Sequence, residues 1–356
     1  MTIFLTGSTG QIGSYLVKVL LDNGHKVFAL ARTSSDGSAR ERFVKAVSFW
    51  DDKVLKKNKN NFFVFDGDVT KKNLKLKKHE IDVIKKEVDC IIHAAANTRI
   101  DQTLENARRI NLCGTKNILG LSLKALSFGK LKKVYHISTA YICGNHVGVF
   151  SEDDIYLGQK FNTTYEQTKC ETEKLVNEYR EKGLVIDVLR PAVVMGETKT
   201  GKINEFRNVY HLLHICKNEV FELWPLKNAC VSMVPVNYTA YAIYKILMLK
   251  SEGNKTYNIF PDKPVKMNNL IKWASEYFAF KMPGLISVEK FIKMQTTPAQ
   301  KMLLQKTVKV LNGDVKLSAK KTNLFLKKNN FNYPDIDEKY FSDIFKYCVE
   351  RGFMKK

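Results

Sequence analysis

No two of the seven cysteines (Cys90, Cys113, Cys143, Cys170, Cys216, Cys230, Cys348) are spaced as a C-x-x-C pair. An odd number scattered through apolar runs builds neither a disulfide framework nor a thiolate zinc site, so reduced, mostly buried thiols and no metal are expected. No uncharged apolar stretch reaches the roughly 18 residues of a membrane-spanning helix. The opening MTIFLTGSTGQIG lacks a basic n-region and a long apolar h-region, which argues against a secretory signal. A cytoplasmic location is the expectation, with peripheral membrane contact left open. There is no internal repeat and no low-complexity tract. Acidic residues are the scarcest class relative to their counterparts: 36 Asp and Glu face 58 Lys and Arg, a net charge of +22. Such an excess favours anionic partners, yet no nucleic-acid-binding motif accompanies it, so nucleic acid is not expected as a partner. Most of the charge reads as a compositional bias toward lysine. What remains is an ordinary globular composition, 356 residues with 44% hydrophobic and 26% charged. That suits one large domain or two, and excludes a disordered chain.

The apolar pattern is that of alternating strands and helices. Thr2 to Thr6 is a short apolar run ending at Gly7, and Gln11 to Leu21 carries apolar residues at helical spacing. Lys26–Ala31, Asn61–Phe65, Asp89–His93, Lys133–Ser138 and Leu184–Arg190 read as further strands, with basic helix-compatible stretches such as Lys71–Lys86 between them. This predicts an α/β fold with a doubly wound, mostly parallel Rossmann-like sheet. After Gly196 the rhythm changes. A helix is expected near Val209–Cys216, strands at Val231–Val236 and Lys255–Phe260, and helices at Asn268–Phe280 and Asp337–Phe353. The expected division is a nucleotide-binding domain over 1–196, with 229–262 returning to it. A smaller, mainly helical substrate-binding part takes 197–228 and 263–356. From Ile286 to Asn330 ten lysines face one Glu and one Asp, the best candidate for a functional basic face.

Two constellations carry chemistry. The first is Thr6-Gly7-Ser8-Thr9-Gly10-Gln11-Ile12-Gly13, between a strand and a helix. Glycines there permit a tight turn and bring backbone N–H groups to a pyrophosphate at the helix N-terminus. The spacing is G-x-x-G-x-x-G. At the end of the second strand, where a carboxylate would bind the ribose hydroxyls of NAD, stands Arg32, suited to the 2′-phosphate of NADP. Asp68-Val69, after the third strand, is placed to meet the adenine. The second constellation is Tyr165-Glu166-Gln167-Thr168-Lys169. Its i, i+4 spacing puts Tyr165 and Lys169 on one helical face. A neighbouring ammonium is expected to lower the phenol pKa and make the pair a proton donor and acceptor for carbonyl/alcohol chemistry. Hydroxyls at the end of the strand His136-Ile137-Ser138-Thr139-Ala140-Tyr141 supply a third hydrogen bond.

In this order the elements resemble the extended short-chain dehydrogenase/reductase superfamily over about residues 1–260. His93-Ala94-Ala95-Ala96, Asn111 before Gly114-Thr115, and Arg190-Pro191 add to the likeness. The resemblance implies Thr139, Tyr165 and Lys169 as catalytic triad, the spacing to Gly144 favouring Thr139 over Ser138. It implies cofactor contacts from Ala94, Ala95, Ala96, Asn111, Lys169 and Pro191 beside the glycine motif. Ser138-Thr139-Ala140-Tyr141, Val234-Pro235-Val236-Asn237-Tyr238 and the segment ending Gly352-Phe353 look like the thioester-reductase and fatty acyl-CoA reductase branch. Here Asn237 replaces the usual Asp and Thr168 the usual Ser.

That branch implies NADPH-dependent reduction of an acyl thioester, of CoA or of an acidic carrier protein delivered in trans, to the aldehyde. Further reduction to alcohol is left open, as is a docking role for the Lys-rich 286–330 stretch. Phe206–Leu223 and Phe278–Leu304 are candidates for the acyl pocket. The alternatives are a sugar-nucleotide epimerase/dehydratase, a hydroxysteroid-type dehydrogenase, and a non-catalytic NADP-binding regulator.

Overall fold

Thr2–Thr6 is buried at every position, which a strand achieves only in a sheet covered on both faces. The computed structural model describes residues 1–99, 102–219, 222–249, 252–287, 290–291, 293–294 and 315–356. Its centre is a sheet of β1 (Thr2–Thr6), β2 (Lys26–Ala31), β3 (Phe62–Asp66), β4 (Cys90–His93), β5 (Lys133–Ile137), β6 (Ile186–Pro191) and β7 (Thr256–Ile259). The spatial order is β7-β6-β5-β4-β1-β2-β3, and every neighbouring pair is parallel.

The period of two sorts the side chains into two cores. Ile3, Leu5, Val27, Ala29, Ile92, Tyr135 and Leu189 face one layer. Phe4, Phe28, Leu30, Ile91, Val134 and Val188 face the other. The first layer is covered by α1 (Gln11–Asp22), α2 (Ala39–Ser48) and, much later in the chain, Val236–Met248. The second is covered by α3 (Lys78–Glu87), α4 (Leu104–Leu126) and α5 (Thr164–Glu181). The outer edge of β7 does not lie bare: the Asn258 N–H donates to Thr322 Oγ1 at 2.9 Å, from the helix Lys320–Lys328. Covering an edge in this way removes a site for unwanted strand pairing.

A separate apolar cluster gathers Met195, Tyr210, Leu213, Trp224, Val231, Leu270, Phe341 and Phe345. It joins the helices Val209–Lys217, Met267–Phe278 and Glu338–Glu350.

Two expectations need correction. Lys71–Lys86 is not one helical stretch: Lys72–Lys75 is a tight turn in which Asn73, Leu74 and Lys75 take φ of 50°, 58° and 62°, and the helix starts at Lys78. The turn buries Leu74 and lets its carbonyl accept the Asp68 N–H at 2.8 Å, a pairing that the i, i+4 bonds of a helix do not contain. Val231–Val236 is not one strand either. Cys230–Val231 and Met233–Pro235 are separate short strands, and Val236 opens the next helix with Pro235 as its N-cap.

The chain order reverses at β1, with β2 on one side and β4 on the other. Above the carboxyl ends of these strands lies the crevice in which a doubly wound sheet binds its ligands.

Candidate active site

The turn after β1 requires its glycines. Gly7 has φ +75°, and a Cβ there would sit 2.5 Å from the Ala94 carbonyl carbon; a Cβ on Gly13 would collide with the Gly7 carbonyl oxygen. The Gly10 N–H donates to Gly7 O at 3.0 Å and the Ser14 N–H to Gly10 O at 2.9 Å. Gly10 caps α1 without offering a side-chain acceptor, so the first N–H groups of α1 have no side-chain cap. Thr9, Gln11 and Ile12 are half-buried around the turn.

Behind the turn, Thr6 Oγ1 lies 2.7 Å from His93 Nδ1 and accepts the Ala95 N–H at 3.3 Å, tying the end of β1 to Ala94-Ala95-Ala96. His93 Nε2 is 3.1 Å from Thr115 Oγ1, which donates to Asn111 O at 2.6 Å. Asn111 is 1% exposed. Its Oδ1 accepts the Asn97 N–H at 2.7 Å, and its Nδ2 donates to Asn97 O and Thr168 Oγ1 at 3.1 and 2.9 Å. Its polar atoms are therefore engaged in a strut between the loop after β4 and α5.

Arg32 is exposed at the end of β2, with Nη1 4.0 Å from Asp68 Oδ2. A second guanidinium stands beside it: Arg42 Nη1 donates to the Arg32 carbonyl at 2.6 Å. The sequence reading missed Arg42. The signal was available in the capping box Ser38–Glu41, which fixes the start of α2 and so places Arg42 one turn in. Asp68 accepts the Thr70 N–H at 2.8 Å. Val69 is buried against α4, where a Cβ on Gly114 would lie 3.0 Å from its Cγ2, and its carbonyl accepts from Asn117 Nδ2 at 2.8 Å.

Thr139, Tyr165 and Lys169 come together at the end of β5. Thr139 caps the short turn Ala140–Cys143, its Oγ1 accepting the Tyr141 N–H at 3.3 Å, and its hydroxyl is near enough to the Tyr165 phenol to favour the phenolate. Thr163 caps α5, accepting the Glu166 N–H at 3.2 Å, while the Glu166 carboxylate accepts the Asn162 N–H at 2.8 Å. These bonds fix the first turn that carries Tyr165. Lys169 is 2% exposed, donates to Ile137 O at 2.7 Å and lies 3.5 Å from His136 Nε2.

The expectation that Lys169 lowers the Tyr165 pKa is not met. Burial pushes the phenol up to about 12, opposed by the nearby Thr139 hydroxyl and reinforced by Glu166. The ammonium is turned toward Ile137 and His136, and its own pKa is pushed down to about 8 by burial, with Glu173 pulling it up. Burial also raises the Glu166 carboxyl to about 7.

Ser138 faces away from this trio. It donates to Glu173 Oε1 at 2.5 Å, and Glu173 pairs with Arg190 at 2.6 Å, both side chains wholly buried. The other Arg190 donors go to Ser151 O and Asp154 O at 3.1 and 2.7 Å. Pro191 ends β6, opposite Ile259. Arg190→Met leaves Glu173 as an uncompensated buried charge and should cost about 3–5 kcal/mol, whereas removing both partners together should cost less. Chemical denaturation of the single and double variants measures this.

A family model described as male sterility protein, of NAD-binding type, matches residues 5–243. The chain belongs to this family. It is an NAD(P)-dependent oxidoreductase of the extended short-chain type. Among curated relatives, the nonribosomal peptide synthetase asaC of Aspergillus flavus is 27% identical over 74% of this chain and 26% of its own length. The L-2-aminoadipate reductase of Schizosaccharomyces pombe is 27% identical over 68% of this chain and 18% of its own. The chain thus spans about a quarter or less of these relatives. Among solved structures, the terminal R domain of the myxalamid PKS-NRPS pathway superimposes with a TM-score of 0.82 at 23% identity, covering 99% of this chain and 92% of that one. MoeE5 in complex with UDP-glucuronic acid and NAD superimposes at 0.68 and 17% identity, covering 99% and 100%. These likenesses establish a shared fold. Among the described residues no helix of this family member is long and apolar enough to cross a membrane, and no cluster of His, Cys, Asp and Glu could hold a metal ion.

Proposed function

We propose that the chain reduces an acyl thioester to the aldehyde with NADPH. The observation that carries this reading is the placing of Tyr165 near the Thr139 hydroxyl, one helical turn from buried Lys169, at the carboxyl end of the sheet that also carries the glycine turn. Support for the substrate class comes from relatives named as an aminoadipate reductase and peptide synthetases, and from the thiolation-reductase di-domain of an archaeal peptide synthetase, similar at a TM-score of 0.81.

The cofactor, when bound, supplies a hydride. Thr6, Gly7, Thr9, Gly10, Gln11, Ile12 and Gly13 would hold its pyrophosphate, and Arg32 with Arg42 its 2′-phosphate. Asp68 and Val69 would border the adenine. Ala94, Ala95, Ala96 and Pro191 would line its remaining length, with Asn111 bracing them from behind. Lys169 would hold the nicotinamide ribose. Tyr165 and Thr139 donate to the oxygen that gains charge as the thioester carbonyl is attacked. A preorganised donor of this kind is worth about 3–4 kcal/mol. Tyr165 keeps its proton until then, because its pKa is pushed up to about 12. The hemithioacetal collapses to aldehyde and free thiol.

The C-terminal core around Tyr210, Trp224 and Phe341 is the proposed substrate-binding part, with Phe206 stacked on Phe353 at 4.2 Å within it. The thiol carrier, CoA or a carrier protein, would be anionic and match the excess of lysine. Lys316, Lys320, Lys327 and Lys328 are exposed on one strand-helix unit, while Lys301, Lys306 and Lys309 lie outside the described residues.

The test is NADPH oxidation against acyl-CoA and acyl-carrier thioesters with free thiol measured in parallel. Equal release of thiol and loss of NADPH is the expected result. Activity on a nucleotide sugar with silence on thioesters would move the chain to the reading favoured by its likeness to MoeE5.

A further inference from the structure

Two imidazoles are buried under the proposed site, and the mechanism uses neither. His93 and His136 are 2% and 1% exposed, with ring centroids 5.6 Å apart. His93 has both nitrogens engaged, by Thr6 and Thr115. His136 differs. Its Nε2 lies 3.2 Å from Thr172 Oγ1 and 3.5 Å from Lys169 Nζ, while its Nδ1 is buried with no hydrogen-bond partner.

We propose that His136 is a positioning residue, a neutral imidazole whose tautomer is coupled to the charge of Lys169. The proposal rests on the role given to Lys169 above. Thr172 donates its hydroxyl proton to Lys169 O at 2.7 Å, so toward His136 its oxygen acts as acceptor. Nε2 then has two uses. Bearing the proton, it donates to Thr172; bearing the lone pair, it accepts from the Lys169 ammonium. Neutral imidazole carries one proton, so the two uses exclude each other.

The ammonium form of Lys169 selects the lone pair on Nε2 and forces the proton onto unpartnered Nδ1. The amine form allows Nε2–H to point at Thr172. The imidazole itself takes no charge. Burial holds His136 well below its ordinary pKa, helped by Lys169, His93 and Arg180, and holds His93 at about 3. The other titratable groups that act with Lys169 are His93 on β4 and Glu173 on its own helix, Glu173 being paired with Arg190 from β6. Protonation at this spot therefore falls to Lys169, and His136 sets how firmly the ammonium is held and where it points.

The test follows the Lys169 side chain directly, by a ¹³C-lysine NMR titration of the ligand-free protein, its signal identified by loss in Lys169→Arg. His136→Phe removes the acceptor and keeps a buried ring. It should move the titration midpoint of Lys169 downward by about one pH unit, the scale of a lost charge-assisted hydrogen bond. His136→Gln restores an acceptor and should return the midpoint toward wild type. Thr172→Val, nearly isosteric, removes the competing use of Nε2 and should move the midpoint upward; it keeps the question open to measurement should the Phe variant fail to fold.

A midpoint unmoved in both His136→Phe and Thr172→Val overturns the proposal. Because no thioester is used, a protein silent on thioesters that still shows these shifts overturns the functional reading alone.

Discussion

Tyr165→Phe is expected to lower turnover about 10²–10⁴-fold, the usual contribution of a positioned acid, while NADPH affinity stays nearly unchanged. The ring keeps its place at the start of α5, because that turn is fixed by Thr163 and by the Glu166–Asn162 bond. What disappears is the hydroxyl that faces Thr139. The proposed cofactor contacts at the glycine turn, Arg32 and Lys169 remain, so a fluorescence titration of NADPH should give the wild-type dissociation constant. A parallel fall of turnover and affinity would mean that Tyr165 holds the fold and does not deliver a proton.

The pH profile separates the partners. With the phenol at about 12 and the ammonium at about 8, both groups are protonated below pH 8. As pH rises through about 8 it is Lys169 that loses its proton, and kcat/KM, which reports the free enzyme, should fall there and not near 12.

The sequence made most of the sheet legible because burial on both faces turns β1, β2, β4 and β5 into short apolar runs closed by turns. β1, β2 and β5 start where those runs start, and the glycine motif falls between β1 and α1 as its spacing implied. Thr139, Tyr165 and Lys169 could be paired on paper because i, i+4 spacing is a local property of α5, and the strand end before it was already marked by Ser138-Thr139.

What escaped was everything set by long-range polar satisfaction. That Ser138 is held by Glu173, itself paired with Arg190, is decided between residues 35 and 17 positions apart. That Asn111 is a strut rests on Asn97 and Thr168, 14 and 57 positions away. The missed sign of the Tyr165 shift has the same origin. Proximity to lysine along a helix suggested a lowered pKa, but the desolvation of the phenol outweighs a charge that points elsewhere. Hydrophobic period carries no information on such pairings, so a buried polar network has to be read from coordinates.

Arg32→Glu is the second decisive change. A guanidinium at the end of β2, beside Arg42, suits a phosphate dianion; a carboxylate there suits free ribose hydroxyls and repels the phosphate. The Arg32 side chain is exposed and held at 4.0 Å by Asp68, so little packing is lost on substitution, and the fold should tolerate it. NADPH binding should weaken on the order of 10²-fold, corresponding to about 3 kcal/mol, whereas NADH binding should change little or improve. Arg42→Ala should give a smaller loss in the same direction, since Arg42 keeps its backbone bond to residue 32 as its anchor and contributes one further donor group. The ratio of kcat/KM for NADPH over NADH, measured in wild type and both variants, is the quantity to follow. An unchanged ratio in Arg32→Glu would remove the 2′-phosphate from the end of β2 and, with it, the ground for preferring NADP over NAD.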